Sequence, residues 1–85
     1  MMGQLMFLTS MSADLEKKLN DIGIYFFQEF CTIGVKKAWL TMKELGMDVN
    51  YDTLINLEAA LEDRNITALN IETINDLKEY YEFNK

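Results

Sequence analysis

Few side chains in this chain of 85 residues are of a type that does chemistry unaided. It contains no histidine and a single cysteine, Cys31, and it shows no metal-ligand spacing and no glycine-rich phosphate loop. Acid–base catalysis would therefore fall to carboxylates. Glu58, Glu62 and Asp63 are neighbours on one predicted helix, yet an acid on an exposed helix face is ordinarily just solvated. Cys31 has no neighbouring base and sits at core spacing, which predicts a small buried hydrophobe rather than a nucleophile. The expectation is a protein that is not an enzyme and holds no metal and no cofactor.

The scaffold that must position any site is easier to read. Apolar residues make up 49% of the chain and proline is absent, so one all-α domain over residues 1–85 follows. With a lone thiol and no histidine, neither a disulfide nor a zinc site can hold it together. Gly23, Gly34 and Gly46 each close a short apolar segment. Glycine just past such a segment stops a helix, because the left-handed conformation there costs other residues a Cβ clash. Short helices joined by tight turns are the result, as in compact bundles and in the hairpins of some DNA-binding modules.

Five helices are predicted. Ser12 caps the first, whose Leu15, Leu19 and Ile22 form one apolar stripe. A short second helix over about Phe26–Thr32 places Phe27, Phe30 and Cys31 on one face. Its aromatic rings read as core rather than as a platform for stacking bases, because so small a domain needs large apolar side chains inside. The third, about Val35–Leu45, is amphipathic through Val35, Ala38, Trp39, Met42 and Leu45. Asn50 caps the fourth, which continues through Asp63 and is central, with Ala59 and Ala60 allowing close approach of a neighbour. Asn70 caps the fifth, with Ile71, Ile74, Leu77 and Tyr81 inward. The segment RNITAL between the last two reads as a linking turn.

These residues resemble a known family. The order L-x-x-I-G-I (Leu19, Ile22, Gly23, Ile24), a short helix, I-G-V (Ile33, Gly34, Val35), an apolar helix, then L-E-A-A-L (Leu57–Leu61) is similar to the C-terminal domain of the TfoX/Sxy proteins, regulators of bacterial competence. The resemblance covers about Leu8 to Leu77. Phe26 stands where that family usually has a capping Ser or Thr, Ala59 replaces a frequent glycine, and Ile66 occupies a place where tryptophan is common. Since the likeness is to one domain of a longer regulator, the expectation is a stand-alone domain, and a competence role belongs to the longer relatives.

The family fold implies a bundle of the helix-hairpin-helix or SAM-like kind. In helix-hairpin-helix modules a glycine turn presents backbone N–H groups at a helix N-terminus to a phosphate. The matching residues would be Gly34 and Val35, with Lys36 and Lys37 beside them. Two or three phosphate contacts give little affinity, so solvated lysines beside a permissive glycine are the preferred reading.

Charge points the same way. Residues 1–43 carry five basic and four acidic side chains, net +1; residues 44–85 carry three and ten, net −7. The acidic half keeps the domain soluble and opposes nucleic acid, although a dipolar surface could orient a basic partner. The uncharged segment 1–8 lacks the basic start of a secretory signal and is too short to span a bilayer. It reads as an apolar arm that packs onto the domain or onto a second chain. Met1, Met2, Leu5, Met6 and Phe26 are thus candidate interface residues. The function expected is a cytoplasmic regulatory or protein-interaction module with a protein partner or a homodimer. The alternative is a helix-hairpin-helix nucleic-acid binder.

Overall fold

Three of the helices begin where a side chain satisfies an amide that the first turn leaves without an intrahelical partner. The computed structural model describes Leu5 and residues 8–85. In it α1 spans Ala13–Asp21, α2 Phe27–Ile33, α3 Val35–Glu44, α4 Tyr51–Leu61 and α5 Ile71–Asn84. Ser12 Oγ accepts from the Leu15 amide, and Asn50 Oδ1 accepts from Thr53 N while the Thr53 hydroxyl accepts from Asn50 N. Asn70 Oδ1 accepts from Glu72 N. These are the expected caps. The described residues contain helices and turns and no strand, and no helix among them is long and apolar enough to cross a membrane.

Three helices end in the same six-residue turn. After α1, Ile24 N donates to Leu19 O and Gly23 N to Asn20 O, both at 2.9 Å. After α3, Met47 and Gly46 repeat the pattern onto Met42 and Lys43; after α4, Arg64 and Asp63 repeat it onto Ala59 and Ala60. The residue that turns the chain has positive φ each time: Gly23, Gly46 and Asp63. Asp63 is the acid among glycines: α4 ends at Leu61, so Asp63 lies in the turn and not in the helix expected to run through it. The RNITAL turn contains one turn of 3₁₀ helix, Ile66–Ala68.

The core is built on α4, which packs against α2, α3 and α5. Ala59 and Ala60 are fully buried there, their small side chains admitting the neighbouring helices. Trp39 is also fully buried, its indole N–H donating to Asn50 O at 3.0 Å. The rings of Tyr80 and Tyr81 meet the indole edge-on, at centroid distances of 6.2 and 5.8 Å. Such pairs add to what their buried area contributes.

Three expected core positions lie outside. Cys31 is exposed, Leu45 is 62% exposed and Ile71 is 65% exposed. Leu45 and Ile71 lie at helix ends, beyond the neighbouring helices that cover the middle of each stripe. Cys31 lies on a helix of seven residues whose buried side needs only Phe30, with Phe27 half-buried.

Leu5 is fully buried in the chain's own core, which removes it from the candidate interface. The segment behind it is stitched to the turn after α4. Thr9 N donates to Asp63 Oδ1 at 2.7 Å, and Ser10 Oγ donates to Arg64 O at 2.8 Å. Met1, Met2 and Met6 lie outside the described residues.

Candidate functional site

The two glycine turns that flank α2 are where a phosphate-binding hairpin would lie. Gly34 joins α2 to α3 alone, as the C-cap of one and the N-cap of the other, at φ 81° and ψ 162°. Val35 follows with its side chain buried, so only its backbone could face a ligand. Lys36 turns away from the turn toward α5. Its Nζ lies 2.6 Å from Asp76 Oδ2 and 5.4 Å from the Tyr80 ring centroid, and its carbonyl accepts from the Tyr80 hydroxyl at 3.3 Å. Lys37 is exposed and has no ion pair among the described residues. The four residues of the candidate phosphate site therefore divide: a buried valine, a lysine committed to α5, a turn glycine and a solvated lysine.

The Gly23 turn meets a different fate. Glu29 Oε1 accepts from Tyr25 N at 2.8 Å and from Phe26 N at 3.0 Å. A carboxylate of the chain thus occupies the place a phosphate oxygen would take at the start of α2. Phe26 is in the N-cap position and has no side-chain oxygen to give in return, so only the glutamate half of a capping box is present. The signal is in the sequence, as a glutamate three residues after the cap.

Because Phe26 cannot cap, its ring is free to do something else. It is 41% exposed and its neighbour Tyr25 is 50% exposed. Beside them Phe26, Gln28, Glu29, Thr32 and Ile33 line an open groove of about 610 Å³. Cys31 is exposed on the same short helix. A shallow groove with aromatic edges and one self-satisfied charge suits an apolar protein contact.

The three candidate acids separate as well. Asp63 holds the Thr9 amide, and that hydrogen bond keeps its carboxyl below the usual carboxylate range. Glu58 is half-buried and its pKa is pushed up to about 7. Burial is the main cause, reinforced by a hydrogen bond and repulsion from Glu62 one turn on and by repulsion from Asp76; Lys36 opposes the shift. The sequence pattern does not foretell a carboxyl that titrates near neutrality. Its signal is a glutamate on the flank of an otherwise buried helix with a second glutamate four residues later. Glu58 lines neither the groove on α2 nor a smaller one beside α5. Among the described residues no cluster of three or more His, Cys, Asp or Glu could hold a metal ion.

Comparison with curated proteins and with solved structures returned no match. The family model of the TfoX C-terminal domain matches residues 1–81. That span includes both glycine turns, the alanine helix and most of α5, the elements on which the resemblance and the geometry both rest. The chain belongs to the TfoX C-terminal domain family.

Proposed function

We propose that this chain is a non-catalytic, cytoplasmic regulatory module that works by protein contact through the outer edge of α2. The observation that carries the reading is Phe26: a position suited to a capping hydroxyl holds an exposed ring at the mouth of a groove. An aromatic that forgoes a cap and remains in water suits a contact, since aromatic anchors dominate interface energetics. The two lost opportunities for phosphate binding, Glu29 on one turn and Lys36 turned to α5 on the other, weigh against nucleic acid as the partner.

Cys31 supplies the test, being exposed on α2 and the only thiol in the chain. A photo-crosslinker attached there and activated in native lysate treated with nuclease should capture a discrete protein. Phe26→Ser restores a capping oxygen and so keeps the fold, and it should abolish the adduct. An adduct unchanged by Phe26→Ser, or one made of nucleic acid, would overturn the proposal. In parallel, micromolar binding of duplex DNA at physiological salt, lost in a Lys36→Glu, Lys37→Glu variant, would install the nucleic-acid reading instead.

A further inference from the structure

Apart from the Lys36–Asp76 ion pair, the outward face of α5 has no partner among the described residues. Glu72, Asp76, Glu79 and Phe83 recur at i, i+4, i+7 and i+11, so they share one stripe, and all four are exposed. Phe83 is 88% exposed, the largest exposure of any large apolar side chain described. At the C-terminal end of the stripe, Phe83 and Tyr80 form the apolar wall of a groove of about 260 Å³, whose rim is Lys36, Asp76 and Glu79.

The charges on this face are all of one sign. α5 holds four acidic residues and one basic, and its last turn has no basic side chain. Glu72, in the first turn, suits the helix dipole, whereas Glu82, in the last turn, lies at its negative end. Glu82 is relieved by Lys85 at 2.7 Å and Asp76 by Lys36, but Glu72 and Glu79 have no cation within ion-pair distance among the described residues. Two carboxylates without a cation, on one stripe with an exposed aromatic ring, make this face complementary to a basic surface with an apolar anchor.

We infer that the outer face of α5 is a docking surface for a basic amphipathic helix of a partner protein, with Phe83 and Tyr80 taking an apolar side chain and Glu72 and Glu79 pairing its Lys or Arg residues. The inference rests on the reading of the chain as a protein-contact module and adds the partner's chemistry at a second surface. Charge complementarity selects the occupant. A second copy of this face would bring like charges together, whereas a cationic helix neutralises Glu72 and Glu79. On an antiparallel helix, an apolar anchor at i with basic residues at i+4 and i+11 matches the spacing from Phe83 to Glu79 and Glu72.

The full chain, labelled with ¹⁵N, is to be titrated with a capped helical peptide of about 18 residues bearing a lysine stripe around one leucine pair. A peptide with glutamate in place of each lysine is the control. Amide shifts confined to α5 and to Lys36, weakening as salt rises from about 50 to about 300 mM, are expected. Phe83→Ala should weaken binding about five- to tenfold, and Glu72→Lys with Glu79→Lys about tenfold or more, with unchanged helical circular dichroism. No binding, equal binding of the charge-reversed peptide, or binding untouched by Phe83→Ala would each overturn the inference. The Cys31 adduct reports on α2 separately, so a silent α5 with that adduct intact would sink this inference and leave the α2 reading standing.

Discussion

The turns at Gly23 and Gly34 look alike as sequence, each an Ile-Gly-aliphatic step that begins a helix. In three dimensions they are closed off by different means. The Gly23 turn is settled locally: a helix-ending hydrogen-bond pair behind it and Glu29, six residues on, ahead of it. The Gly34 turn is settled at long range, by α5 reaching back with Asp76 and Tyr80 to hold Lys36. The difference shows that a glycine turn ahead of a helix is only a potential anion site. Whether it is open depends on which of the chain's own groups arrives first.

The long-range side of that comparison stands on Trp39, which ties α3 to Tyr80 and Tyr81 of α5. Trp39→Ala should cost about 3–5 kcal/mol and unfold much of the domain, as read by thermal melts. A loss of only a couple of degrees in Tm would mean that α5 is not what secures the Gly34 turn.

Next in size are the glycines themselves. A Cβ built on either glycine meets nothing within 4 Å, so only backbone strain separates them. Gly34, at φ 81° and ψ 162°, occupies a region open essentially to glycine, whereas Gly23 closes a helix in the ordinary left-handed way. Chemical denaturation should therefore rank Gly34→Ala, toward the top of about 1–3 kcal/mol, above Gly23→Ala at about 1 kcal/mol. Equal costs would erase the distinction drawn between the turns.

Glu29→Ala sharpens the local side. Removing the acceptor of two amides should cost about 1 kcal/mol, while Phe26→Ser, which completes the capping box, should gain several tenths to about 1 kcal/mol. Opposite signs in urea melts are the expected signature; a destabilising Phe26→Ser would show that the ring contributes to the fold and not to a surface.

A further effect concerns pH. Glu58 titrates at about 7 in the fold against its ordinary 4.5. Because the folded value is the higher one, its protonated form contributes stability that is complete below about 4.5 and lost as pH rises through about 7. Wild-type Tm should fall gently between those values, and Glu58→Gln should flatten that slope. A slope that persists in the variant would assign the effect elsewhere.

Chemistry that acts within a few residues is legible in the sequence. Ser12, Asn50 and Asn70 cap because their oxygens reach amides two or three positions on, and Gly23 and Gly46 stop helices because their φ is positive. The family order is readable for the same reason, since those turns are what it is made of. Orientation is less so. The periodicity of α3 and α5 assigns Leu45 and Ile71 to the core, but a stripe is buried only as far as a neighbour extends over it, and at both helix ends none does.

What the sequence determined by itself is thus the helices, their capped starts, the glycine-terminated ends and the all-α class, because capping and turn energies depend on contacts between residues close in the chain. Tertiary structure alone decided that Leu5 enters the core, that Cys31 stays outside and that Lys36 serves Asp76 forty residues away. It also decided that Glu58 keeps a proton near neutrality. Those outcomes rest on desolvation and Coulomb terms, which depend on distances through space and are set only when α3, α4 and α5 meet.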